Sequence, residues 1–368
     1  MTFESAQPVE SIPAAPAAAR GVRFNNISHL RLLFAASVMV SHALLLLDPN
    51  SYRLIRIVLN SEAAVQGFFI LSGMLVFGSF ARIASAPSFW RRRLARLYPG
   101  YAVAVLVFAG LVLAQAMLQG VAVEWDTVPR YLAANLATLN FLQPTIGGVF
   151  EGSHQPAING ALWSIKVELM FYAFVPLLFA IGRRVGFGLL AAALIAAGVL
   201  YWPVLLWLGE QAGVGIPVSF KFQLPGQVHY FALGVGLFAV TEGRIDMRAM
   251  ALLVGLMIAL LALVGQSREA LQAAVLVAII GGVSRLPAVA EPFGGRDLSY
   301  GIYLAHFPLI HVLLAAGAAA VLPVGVFVAL VVVLAGLYAL ASWHLIEKPA
   351  LALGKPRRKL AAVKERVA

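Results

Sequence analysis

Arg31 and His42 stand eleven positions apart in the first long apolar run of the chain. At 3.6 residues per turn this is about three turns, so both side chains project from nearly one face, roughly 16 Å apart along the axis. A single Arg at a helix start often only marks an interface, and a single His is often a packing residue. An Arg and a His on one face of a membrane-length helix point instead to a site, because ionisable groups are costly in hydrocarbon. An imidazole in such a place suits general acid–base work near neutral pH.

Three further stretches carry groups of the same kind. Trp163-Ser164-Ile165-Lys166-Val167-Glu168 holds a lysine and a carboxylate two positions apart, hence on different faces and not a pair within one helix. Glu168 is either a partner for a cation elsewhere or part of the chemistry. If this stretch enters the membrane from outside, Glu168 lies roughly 9 Å in, a depth it would share with His42. Trp90-Arg91-Arg92-Arg93-Leu94-Ala95-Arg96-Leu97-Tyr98-Pro99 reads as the basic cluster of an inner loop. Alternatively, Arg93 and Arg96 offer guanidinium forks to phosphates, with Tyr98 or Trp90 to stack on a base. In Ser299-Tyr300-Gly301-Ile302-Tyr303-Leu304-Ala305-His306-Phe307-Pro308, both tyrosines fall near the inner interface, where aromatic anchors are common. His306 is deeper, with no evident local partner. Ser72 and Gly73 read as small packing residues, and Glu347 as a helix-end residue. The seven histidines show no pair at helical ligand spacing with a nearby carboxylate, so no metal site is expected. With no cysteine, thiolate metal sites and a cysteine acyl-enzyme are excluded.

These groups must be positioned by membrane helices. The chain is 61% hydrophobic and 12% charged, against about 25% charged for a soluble domain. Apolar windows of spanning length recur along it, too long and uniform for barrel strands, so the expected fold is an all-α polytopic bundle. Ten spans are predicted, at about 28–47, 64–81, 100–119, 162–181, 187–208, 226–241, 249–265, 270–284, 299–319 and 323–345, the sixth and eighth being short. The stretch Tyr131–Leu142 reads as an interfacial or re-entrant helix within the long outward loop 120–161. Residues 1–23 are expected to be a disordered cytoplasmic tail, 24–349 the membrane unit and 350–368 a basic cytoplasmic tail, with no soluble domain appended.

Charge placement orients the bundle. With both termini inside, the inward segments carry twenty Lys and Arg residues and the outward ones only Arg53, Arg56, Arg130, Lys221 and Arg268. Such an excess on one side is what the positive-inside rule expects. The net charge of +11 therefore reflects topology and lipid contact rather than a nucleic-acid partner. No 20–50-residue repeat and no paired broken helices are visible, which weakens a transporter reading.

In this arrangement the chain resembles acyltransferase family 3, integral membrane enzymes that acylate cell-surface sugars and include O-antigen, exopolysaccharide and nodulation-factor modifying members. The resemblance runs from about Ile27 to Pro349, with five motifs in family order. They are the Arg31–His42 pair, Gly-Phe-Phe-x-Leu-Ser-Gly at Gly67–Gly73, Arg-x-x-Arg-Leu-Tyr-Pro at Arg93–Pro99, Trp-Ser-x-x-x-Glu at Trp163–Glu168, and Tyr-x-x-Tyr-Leu-x-His-x-Pro at Tyr300–Pro308. One departure is that Ser28 and His29 stand where many members carry Asp or Gly before the first Arg.

The resemblance implies a multi-pass protein of the bacterial inner membrane that moves an acyl group, acetyl first, from cytoplasmic acyl-CoA to a hydroxyl of a cell-envelope or exported glycan or glycolipid. Acyl-CoA is then a donor substrate, and no bound cofactor is expected. Its phosphates would meet Arg31, Arg93 and Arg96, with Tyr98 beside them. His42 would be the general base and Glu168 would orient it or bind the sugar, by direct transfer or through an acyl-histidine. Trp163, Ser164, Tyr300, Tyr303 and His306 would support the site or hold the acceptor. The residues alone leave two other readings open: a transporter or flippase using the same groups, and a membrane protein without turnover. Nothing in the sequence specifies an oligomeric state.

Overall fold

A computed structural model describes residues 25–354; the expected tail over 1–23 and the chain beyond 354 lie outside the described residues. Among the described residues there is helix and no strand, as an all-α bundle requires. In chain order the elements are α1 (Ile27–Leu47), α2 (Arg53–Val58), α3 (Ser61–Ile83), α4 (Ala86–Leu118) and α5 (Thr127–Leu136). Then follow α6 (Trp163–Val185), α7 (Phe187–Gln211), α8 (Leu224–Thr241), α9 (Met247–Leu263) and α10 (Ser267–Arg285). The last are α11 (Ser299–Ala315), α12 (Ala318–Val321), α13 (Val324–Ser342), a π-helical turn at Trp343–Glu347, and α14 (Lys348–Gly354).

Every predicted span is helical, and eight helices are long and apolar enough to cross a membrane. The two shortest are α9 and α11, 17 residues each and at the lower limit of a crossing. Shortness thus falls on these two rather than on the predicted sixth and eighth spans. Residues 350–354, read as the start of the basic tail, instead complete α14, where Gly354 packs on Ala95 of α4.

The basic stretch at Arg91–Tyr98 is not a loop. α4 starts at Ala86 behind an extended Ser85, with Pro87 in its first turn, and runs 33 residues through Pro99. Leu, Ala and Arg are good helix formers, so the charged half simply continues the apolar half out of the membrane. The connection to α3 shrinks to Ala84, in the left-handed region, and Ser85.

Helix contacts are close where side chains are absent. A Cβ on Gly73 of α3 would fall 2.2 Å from the Phe231 carbonyl oxygen and 3.0 Å from Gly234 Cα on α8. These two glycines let the α3 and α8 backbones touch, as small residues do between membrane helices.

Both ends of the described chain lie on one face. The Asn25 amide donates to the Ser284 carbonyl at 2.8 Å, and Asn26 Nδ2 to those of Val283 and Pro287. On the opposite face, the long loop turns back into the bundle. α5 descends beside α4, and its last carbonyls, at Asn135 and Leu136, accept hydrogen bonds from the Tyr101 and Tyr98 hydroxyls at 2.8 and 3.0 Å. It is therefore re-entrant. The following segment descends along α11: Phe150 stacks on His311 at 4.5 Å, Gly160 lies against Phe307, and Asn159 Nδ2 donates to the Leu304 carbonyl at 2.9 Å. That carbonyl is free because Pro308, four residues on, has no N–H to give it. The same device fixes α4 to α6, where Pro176 frees the Tyr172 carbonyl and Trp90 Nε1 occupies it at 3.0 Å.

Candidate active site

α1 and α11 run parallel and meet at two levels. At the inner level, Arg31 Nη2 lies 3.2 Å from Asp297 Oδ2, just before α11 begins. Arg96 of α4 bonds the same carboxylate oxygen, and its other nitrogen lies 3.5 Å from Glu347 Oε2. Ser299 Oγ donates to Asp297 Oδ1 at 2.6 Å and Ser342 Oγ to Glu347 Oε1 at 2.9 Å. Two guanidinium groups thus face two carboxylates, each steadied by a hydroxyl. Asp297 lies in the loop between α10 and α11. Burial pushes its carboxyl up, but Arg31, Arg96 and Ser299 outweigh this and hold it below the usual carboxylate range.

Above this floor is a narrow cavity of about 40 Å³, bounded by Arg31, Phe68, Ser164, Glu168, Tyr300 and Tyr303 among others. Glu168 Oε1 accepts from Ser72 Oγ and from Tyr172 OH, both at 2.6 Å. Ser164 Oγ and Tyr303 OH are 2.6 Å apart, and both reach the Ala161 carbonyl. Tyr300 OH donates to the Leu97 carbonyl at 2.7 Å. At the outer level, His42 Nδ1 lies 2.9 Å from His306 Nε2, the rings nearly parallel at 12° and the Phe307 ring edge-on to His42. Arg31 and His42 therefore do share one face, directed at α11.

Several expectations are corrected. Glu168 does not share a depth with His42 and does not orient it. α6 begins deep, at the level of Tyr303, because the preceding loop has already descended along α11, so Glu168 lies in the Arg31 cavity. The partner of His42 is His306, which the sequence left without one. Tyr300 and Tyr303 are buried, hydrogen-bonded groups rather than interfacial anchors. Glu347 is 1% exposed and paired, not merely a helix end.

Arg93 and Arg96 also part company. Arg96 turns to Asp297 and Glu347 and lies over the Trp343 ring, whereas Arg93 lies 5.5 Å over the Tyr172 ring and 5.6 Å over Phe89. Arg93, Tyr98 and Trp90 line a second cavity of about 550 Å³ between α4, α5 and α6. The Tyr172 side chain contributes to its wall and bonds Glu168 on the other side. Trp163 stays outside both cavities, edge-on to Phe69 and Phe222. Lys166, buried on another face of α6, bonds Gln223 Oε1 at 2.5 Å, away from Glu168.

Sequence reasoning missed Asp297 and Tyr172 and treated Ser72 as packing only. An acidic residue on the basic side of the membrane, two before Ser299, is a signal for Asp297. Pro176 and Pro308, each freeing a carbonyl four residues back, are signals for the two docking points.

A multi-pass helical bundle that holds guanidinium, carboxylate and imidazole groups in one internal column carries a functional site, since such groups are costly in hydrocarbon. The comparisons agree. An acyltransferase domain family matches residues 24–342, and the chain belongs to it, acyltransferase family 3, as the motifs indicated. It is 31% identical over 356 residues to nodulation protein 10 of Rhizobium leguminosarum bv. viciae, covering 89% of this chain and 94% of that protein. It is 33% identical over 194 residues to the acyltransferase MdmB of Streptomyces mycarofaciens, covering 50% of this chain and 47% of that protein. No solved structure matches. The protein is thus an acyltransferase with multiple membrane helices, and the transport reading gives way.

Proposed function

We propose that this protein transfers an acyl group, acetyl first among candidates, from cytoplasmic acyl-CoA to a hydroxyl of a cell-envelope or exported glycan at the bacterial inner membrane. The observation that carries this reading is the polar column from Arg31 on the basic face to His42 toward the opposite face. At its inner end Arg31 Nε is buried and unpartnered among the described residues, and Arg31 lines the cavity that Glu168 also borders. An anion such as the donor's diphosphate would satisfy it.

Arg96, held by two carboxylates, supports Arg31 and shares the anion's field. The larger cavity suits the nucleotide end of the donor: Trp90 and Tyr98 offer flat apolar faces, and Arg93 is a cation that has no carboxylate partner among the described residues. The narrow pantetheine arm and thioester then lie along the small cavity beside Glu168, Ser164 and Tyr303, toward His42. His42 takes the proton of the acceptor hydroxyl as its oxygen attacks the thioester carbonyl. The C–S bond breaks, and the proton passes to the departing thiolate. Ser164, Tyr303 and the descending loop border the acceptor side, with Tyr300 and Trp163 as supports. The resemblance to a family that acylates surface sugars supports a glycan as acceptor.

The test is acetyl-CoA turnover by purified protein in proteoliposomes with a mixed glycan acceptor, comparing wild type with His42→Ala. CoA release in the wild type and none in a well-folded mutant is the expected result. A mutant as fast as the wild type overturns the role of His42. No release from folded wild type with any short acyl-CoA overturns the choice of donor.

A further inference from the structure

We infer that His306 is a positioning residue that fixes the tautomer of His42, leaving His42 Nε2 as the bare, basic nitrogen. The inference rests on the acyl-transfer reading above for its kinetic consequence, but on hydrogen-bond logic for its substance. His306 Nδ1 lies 3.3 Å from the Ile302 carbonyl oxygen, one turn back on α11. A carbonyl can only accept, so Nδ1 of His306 carries the proton. His306 is 0% exposed, and among the described residues its ring nitrogens meet His42 and the backbone of Ile302 and Tyr303 with no carboxylate, so the uncharged form is the one burial favours. In uncharged imidazole one nitrogen donates and the other accepts. His306 Nε2 is therefore an acceptor, and the contact of 2.9 Å requires His42 Nδ1 to donate. The remaining nitrogen of His42, Nε2, has no proton.

This is the arrangement a general base needs, reached without a carboxylate. In hydrolytic triads a buried Asp holds the base in its working tautomer, and losing that control there slows turnover by about 10⁴. Here a second imidazole, itself set by a backbone carbonyl, performs the positioning. When His42 Nε2 takes the acceptor proton, the resulting imidazolium still donates from Nδ1 to His306 Nε2, so its charge is spread by a short hydrogen bond rather than neutralised. Returning the proton from Nε2 to the thiolate restores the starting tautomers. The Phe307 ring, edge-on to His42, and the turn from Ile302 to His306 keep the two imidazoles nearly parallel.

The experiment reads the tautomer directly. Full-length protein with ¹⁵N-labelled histidine is placed in nanodiscs, and long-range ¹H–¹⁵N correlations are recorded for wild type, His42→Gln (to assign the signal), His306→Gln and His306→Leu. His42 is expected with a protonated Nδ1 and a bare Nε2 in the wild type. His306→Gln keeps an acceptor near the Nε2 position and should preserve that pattern, whereas His306→Leu should lose it. In parallel, His306→Leu should lower kcat by about 100-fold or more with KM for acyl-CoA unchanged, while His306→Gln stays within about tenfold of wild type. A protonated Nε2 on wild-type His42 overturns the proposal, and so does equal loss of kcat in the Gln and Leu variants. If His306→Leu does not fold, the wild-type and Gln spectra still decide. The expected tautomer in a protein that transfers no acyl group would instead count against the functional reading and leave the assignment standing.

Discussion

Asn159 reaches from the outer loop to the Leu304 carbonyl in the middle of α11, 2.9 Å away, and so sets where α6 begins. With the loop anchored there, Trp163 starts a helix inside the bundle, and Glu168 arrives beside Arg31 instead of His42. The depth of Glu168 is thus decided by an amide and a carbonyl left free by Pro308.

Removing the anchor should be costly. Asn159→Ala leaves a buried carbonyl unsatisfied and should destabilise the protein by about 1–3 kcal/mol, read as a lower thermal midpoint in detergent. Pro308→Ala restores the backbone N–H that can take the Leu304 carbonyl, so the double variant should recover part of the loss. Simple additivity of the two losses would sink the idea.

Glu168 and His42 should differ kinetically. Glu168→Gln keeps the volume but removes a negative charge beside Arg31 and the proposed diphosphate, and should lower KM for acyl-CoA with a smaller change in kcat. His42→Ala should act on kcat. Steady-state kinetics with both substrates varied checks this, and a kcat effect confined to Glu168→Gln contradicts the placement.

The Arg31–Asp297–Arg96 cluster should show a defined pH dependence. The Asp297 carboxyl is depressed in the folded state, so its stabilising contribution is present above the ordinary Asp range and is lost as pH falls through the lowered value. Asp297→Asn should cost about 1–3 kcal/mol near neutral pH, between the values for surface and buried pairs. The gap between mutant and wild type in thermal midpoint should then narrow as the solution is made acid. A gap that stays constant into strong acid would show that charge pairing is not its source.

Gly73 and Gly78 lie on the same helix and should respond unequally to an added methyl. At Gly73 the new atom meets the α8 backbone, and Gly73→Ala should destabilise by about 1–3 kcal/mol or more. At Gly78 the nearest atom is the flexible end of Arg82 at 3.5 Å, so Gly78→Ala should be close to neutral. Thermal unfolding of both variants in one detergent makes the comparison, and equal midpoints would remove the α3–α8 contact as the cause.

Sequence alone determined the all-α bundle and where along the chain its helices fall, because hydrophobic length is a local property that the membrane reads directly. It also determined that Arg31 and His42 share a face, since helical periodicity is fixed over eleven residues. It marked Tyr303, Ser164 and His306 through motif order, although not what each touches. Only the tertiary structure decided the pairings: Arg31 with Asp297, Glu168 with Ser72 and Tyr172, and His42 with His306. Their members lie 96 or more positions apart, the local Glu168–Tyr172 contact excepted. A hydrogen bond between distant helices depends on depth and rotation, and a re-entrant loop shifts both without altering the hydrophobic pattern from which spans are read.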